Sequence, residues 1–107
     1  MALIYLLAAI LAEVGATFTA RTAEGFTRLV PSVATIALVA TAYYAFSLSL
    51  RAGMNIGVGY ASWAALGVAL VAVLGAMMTG DALTWTQWLG IVLVTVGVAA
   101  LQLGSTT

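Results

Sequence analysis

The sequence predicts an all-α membrane protein: four transmembrane helices per protomer, from three observations. The chain is 64% hydrophobic and only 6% charged, whereas a soluble domain carries about 25% charged residues. Its apolar residues fall into four runs separated by short polar connections. The runs do not alternate over ten or so residues as barrel strands do. A 107-residue soluble fold has too little interior to hide this much apolar surface. Lipid is the natural solvent, and unpaired backbone groups in lipid demand helices.

The first run covers residues 2–20 and is interrupted by one charge, Glu13. It reads as a membrane helix and not as a signal peptide, because it lacks a basic leading segment and carries an acid in its middle. The polar stretch Arg21–Arg28 follows, with Gly25 as the expected helix stop. The second run, 29–50, has no charge, and Pro31 suits its first turn, where a missing N–H costs nothing. Arg51, Ala52 and Gly53 close it. The third run is expected over 54–78 and the fourth over 82–103, with Thr79, Gly80 and Asp81 between them. Thr84 followed by Gln87 fits a capping box. Trp85 and Trp88 would then lie at the membrane interface. Each run approaches the roughly 20 residues that cross a core of about 30 Å. Short loops make successive helices antiparallel, so a single up-down four-helix domain is expected over 1–107.

Composition also excludes functions. Three basic and three acidic residues cancel, and no basic tract invites nucleic acid. With no Cys and no His, disulfides, thiolate metal sites and the commonest general base are absent. No metal or cofactor is expected, and no covalent chemistry. Arg21 and Arg28 lie in the first connection and Arg51 in the second. So weak a positive-inside bias permits insertion in both orientations, and hence an antiparallel pair of copies. A single weakly determined topology fits the same charges.

Glu13 is the residue around which the chain is organised. A carboxylate at the centre of a membrane helix costs about 2.5–3.5 kcal/mol on insertion scales and marks a functional site by default. It can hold a proton or a cation, and that exchange couples two flows. The alternative is an acid that only hydrogen-bonds a neighbouring helix. Leu6, Ala9, Ile10, Ala16 and Thr17 share its helix face and are candidates to line a site. Tyr60 and Trp63, three apart on helix 3, share a face and could attract a cation. Taken alone, they are better explained by an interfacial belt or lipid contact. Tyr43, Tyr44 and Phe46 carry the same ambiguity, with Tyr43 the one retained as a candidate. Gly67, with Gly57 and Gly75, marks a bend in helix 3 or close packing. Gly90 and Gly97, seven apart, share a face of helix 4 and suit a contact between copies; packing within the protomer is the other reading.

These features together resemble the small multidrug resistance family, and within it EmrE-type members. The resemblance covers nearly the whole chain. It is carried by Ala-Glu-Val at 12–14, by Glu-Gly-Phe-Thr-Arg-Leu-Val-Pro-Ser at 24–32, by the glycine, tyrosine and tryptophan of Gly-Val-Gly-Tyr-Ala-Ser-Trp at 57–63, and by the Gly90/Gly97 pair. It implies an antiparallel, dual-topology homodimer in the bacterial inner membrane. That dimer would export lipophilic and quaternary ammonium cations by proton antiport with alternating access. It further implies Glu13 as the carboxylate shared by proton and substrate, Tyr60 and Trp63 as binding aromatics, Gly67 as part of a kink, and Gly90 and Gly97 as the dimerisation motif. A guanidinium-exporting branch resembles a pattern with Trp at position 16 and a helix 2 hydroxyl at position 42. Here both are alanine, which favours the multidrug branch through a roomier, more apolar site. Departures are Arg21 for a loop lysine, Val39 for a helix 2 tyrosine, and Ala64–Ala65 where Ser and Gly are common. A guanidinium or polyamine exporter and a non-transporting subunit of a heteromeric assembly are the rival readings.

Overall fold

A computed structural model describes residues 1–104 and contains four helices in chain order: α1 (Ala2–Thr22), α2 (Leu29–Arg51), α3 (Ile56–Thr79) and α4 (Trp85–Leu103). At 1.5 Å per residue they run about 28–36 Å, enough to cross a bilayer core of about 30 Å. All four are long and apolar enough to span a membrane.

Local chemistry sets the ends. α3 starts at Ile56, two residues later than the apolar run suggests. The Asn55 side chain accepts from the Gly57 and Val58 N–H groups at 2.9 and 3.2 Å, satisfying donors that a helix start leaves orphaned. α4 starts at Trp85 instead of Ala82. Thr84 and Gln87 close the expected capping box, with bonds of 3.2 and 2.9 Å. α3 stops at Gly80, whose φ of +77° is the left-handed conformation that favours glycine. α1 ends before Gly25. Glu24, Gly25 and Phe26 all take left-handed φ values of 51°, 73° and 64°, and the Ala23 carbonyl accepts from both Thr27 and Arg28 N–H groups across that turn. Holding two non-glycine residues there costs of order 1–3 kcal/mol each.

Hydrogen bonds between helices show the antiparallel order. Ser49, near the end of α2, donates to the carbonyl of Ala2 at the start of α1. The Thr19 and Thr35 hydroxyls meet at 2.7 Å where α1 ends and α2 begins. Gln102, at the end of α4, donates to the Ser62 hydroxyl near the start of α3 at 2.8 Å. α1 packs chiefly on α2, and α3 bridges α1 to α4. Among the described residues α4 leans on α3 alone. The outcome is an open, flat arrangement, 43 × 35 × 17 Å, in place of a closed four-helix bundle. Its core gathers Leu6, Ala9, Ile10 and Val14 of α1, Ala42, Ala45 and Phe46 of α2, and Trp63 of α3. Arg21, Glu24, Arg28, Arg51 and Asp81 all sit at helix ends or in loops, exposed. Glu13 alone lies mid-helix.

Candidate functional site

A cavity of about 510 Å³ opens where α1, α2 and α3 meet, within the range of small-molecule sites. Glu13 and Thr17 of α1, Tyr43 of α2, and Tyr60, Trp63 and Gly67 of α3 border it. Val14, Ala64, Val68, Val71 and Ala72 complete an almost wholly apolar wall. Glu13 is half-buried, and its carboxylate has no hydrogen-bond or ion-pair partner among the described residues. Thr17 does not supply one. Its hydroxyl donates at 3.0 Å to the backbone carbonyl of Glu13 one turn back.

The aromatic side chains of α2 and α3 form one group, three of whose rings border the same cavity as Glu13. Trp63 stacks on Phe46 with ring centroids 4.7 Å apart and planes 23° from parallel. Tyr43 and Tyr60 stand nearly perpendicular to Trp63, at 4.8 and 6.0 Å. Edge-to-face pairs at these spacings are favourable. The indole Nε1–H donates to the Ala9 carbonyl at 3.1 Å. A carboxylate without an ion-pair partner, bordering an apolar cavity together with aromatic rings, can hold a bulky monovalent cation, since aromatic faces attract cations more strongly when desolvated. No group of three or more acidic, His or Cys residues that could hold a metal forms among the described residues.

The stripe of α1 expected around Glu13 divides in two. Its second half, Glu13 and Thr17, opens into the cavity. Leu6, Ala9 and Ile10 do not line it; they are buried at 2% exposure or less in the core between helices. Ala16 is likewise buried. Ala42 lies in the core too, so the smallness of Ala16 and Ala42 serves helix packing and does not widen the cavity wall. Tyr43 borders the cavity, while its neighbour Tyr44 faces outward, two-thirds exposed. Gly67 is covered along its backbone, yet a Cβ built on it would meet nothing within 4 Å. Gly90 and Gly97 are exposed, and an added Cβ meets nothing at either. Neither glycine packs against another helix of its own chain.

Val68 and Val71 of α3 were missed as site residues. Tyr60, Ala64, Gly67, Val68 and Val71 recur at helical spacing, a signal that could have found the wall. A second cavity, about 780 Å³, lies between the end of α3 and the start of α4 and is bordered by Asp81, Thr84, Gln87 and Gly90. The Thr79 hydroxyl donates to Asp81 there at 3.1 Å.

Comparison with known proteins agrees with this architecture. The family described as Small Multidrug Resistance protein matches residues 1–94. The chain is 41% identical over 100 residues to the quaternary ammonium compound-resistance protein QacF of Klebsiella aerogenes, covering 94% of this chain and 90% of that one. It is 37% identical over 103 residues to the multidrug resistance protein mmr of Mycobacterium leprae (strain TN), covering 96% of each. The nicotine metabolites export pump subunit NepA of Paenarthrobacter nicotinovorans is 40% identical over 98 residues, covering 92% of this chain and 84% of that subunit. With four spanning helices and relatives of this kind along nearly its whole length, the chain belongs to the small multidrug resistance family, as a multi-pass transport protein of the bacterial inner membrane and not an enzyme.

Proposed function

We propose that the protein exports lipophilic and quaternary ammonium cations in exchange for protons, with Glu13 as the group for which both compete. The observation that carries this reading is the position of Glu13. It is the one carboxylate within a spanning helix, and it borders a cavity otherwise apolar and aromatic. A cation held there would lie between the carboxylate and the tyrosine faces, each face adding about 0.5–2 kcal/mol. Arriving protons neutralise the carboxylate and release the cation.

Two copies inserted in opposite orientations complete the pathway in this reading. One protomer leaves its cavity open to the side, and α4 carries Gly90 and Gly97 exposed, with nothing within 4 Å of a Cβ added at either. Small residues allow two such helices to approach closely. Alternating access then follows from the pair exchanging which side its cavity faces, with Gly67 as the hinge in α3. The weak charge bias of the loops supports insertion both ways.

A second reading has its own support: one relative bears the name of a pump subunit. In that case the chain would require a different partner chain. Expressing this chain alone and cross-linking it in membranes separates the two, since a self-sufficient dimer sinks the subunit reading.

The decisive experiment is proton release from the purified protein on adding tetraphenylphosphonium, with Glu13→Gln as the control. Release by the native protein and none by the variant is expected. A folded native dimer that binds the cation without releasing protons refutes antiport through Glu13.

A further inference from the structure

Trp63 is where the aromatic group is tied down, and it is tied from two helices. From α1 the Ala9 carbonyl accepts its indole N–H at 3.1 Å. From α2 Phe46 lies against its ring, 4.7 Å away and only 23° from parallel. An indole N–H within hydrocarbon has no water to turn to, so the bond to Ala9 holds the ring's direction. The stack holds its plane. Phe46 is itself buried, at 8% exposure, within the core of α1, α2 and α3.

The consequence is that little indole surface is left over. Trp63 is 4% exposed, whereas Tyr43 and Tyr60 are 56% and 54% exposed. A cation gains from an aromatic ring only when it reaches the face, within about 6 Å of the centroid. Phe46 already covers one indole face. Most of the reachable aromatic surface at the cavity therefore belongs to the two tyrosines, although the indole borders it too.

We infer that Phe46 is a positioning residue that sets the selectivity of the cation site: by stacking on Trp63 it covers an indole face, so that the indole, though it borders the cavity, offers a cation little surface, and Tyr43 and Tyr60 are the main walls a cation meets. This rests on the reading of the cavity as a cation site. Two single-ring walls held apart accept a cation that carries its own aryl groups, through edge-to-face and offset contacts. Without Phe46 the indole, still tied through its N–H to Ala9, loses the contact that holds its plane and can turn further into the cavity. There it takes the space an aryl substituent would fill, while a compact alkylammonium still fits beside Glu13.

The test compares tetraphenylphosphonium with tetrapropylammonium on the purified dimer, using native protein, Phe46→Leu and Phe46→Tyr. Phe46→Leu should shift the ratio of the two dissociation constants about two- to tenfold against the aryl cation, the equivalent of one aromatic pair. Phe46→Tyr keeps a ring in the stack and should restore the native ratio. With Trp85→Phe and Trp88→Phe in the background, Trp63 is the only indole. Its emission should then move to longer wavelength in Phe46→Leu and return in Phe46→Tyr. If Phe46→Leu does not yield a dimer, Phe46→Met fills similar volume without a ring and is judged by the same ratio. An unchanged ratio in the ringless variant, or a tyrosine variant no better than it, overturns the inference. Failure of the native protein to bind either cation overturns the cation-site reading beneath it, and the native control alone reveals that result.

Discussion

Gly67→Ala separates two roles for one residue, because its effect on stability and its effect on transport should point in opposite directions. A Cβ at position 67 meets no atom within 4 Å, so the new methyl group costs no repacking. Replacing glycine by alanine inside a helix stabilises it by about 0.5–1 kcal/mol. Gly59, eight residues earlier on α3, supplies the control. There a Cβ would lie 2.9 Å from Met54 Cγ, 3.3 Å from Phe46 Cε1 and 3.7 Å from Leu50 Cδ2. Overpacking of that kind costs about 1–3 kcal/mol, which outweighs the helix gain of at most about 1 kcal/mol. The two alanine variants should therefore differ in sign. Denaturation of the detergent-solubilised protein by sodium dodecyl sulfate, followed by tryptophan emission, reads both. Exchange of tetraphenylphosphonium in proteoliposomes tests the proposed hinge: Gly67→Ala should stabilise the protein and slow the exchange. A destabilisation of 67 by about 1 kcal/mol or more would mean that the space beside it is filled, and the reasoning from cavity geometry fails. Native exchange rates in a stabilised Gly67→Ala refute the hinge alone.

Other outcomes follow from the same geometry. Ser62→Ala removes the hydroxyl that accepts from the Gln102 side chain, and should cost about 0.6 kcal/mol and at most about 1.7 kcal/mol, the average and maximum for polar ties between membrane helices; the same denaturation assay measures it, and loss of α4 mobility restraints should appear as faster amide exchange near residue 102. Gly90→Leu combined with Gly97→Leu should shift the protein from dimer to monomer on size exclusion while its helix content by circular dichroism is retained. A native elution volume for that double variant removes α4 as the contact between copies.

Much of the fold was legible because the bilayer imposes simple rules. Four runs near the crossing length must be helices when lipid surrounds them, and turn chemistry such as Thr84 with Gln87 or Gly80 marks their ends. The isolation of Glu13 in an apolar run needed no structure either. The direction each helix faces was not legible. All four are apolar around most of their circumference, so no polar stripe tells the inward side from the lipid side. Tyr43 and Tyr44 are adjacent and chemically alike, and only the rotation of α2 sends one to the cavity and the other outward.

By itself, then, the sequence determined a lipid-embedded four-helix chain with one carboxylate inside the membrane, since composition and run length decide partition between water and lipid. The tertiary structure decided everything that depends on packing. It put Leu6, Ala9 and Ile10 into the core and left Glu13 and Thr17, on the same helix face, at the cavity. It also folded Phe46 against Trp63 and left Tyr43 and Tyr60 the more exposed rings of the group. Those choices come from how side chains of different helices interlock, a property of pairs of helices that no single stretch of sequence contains.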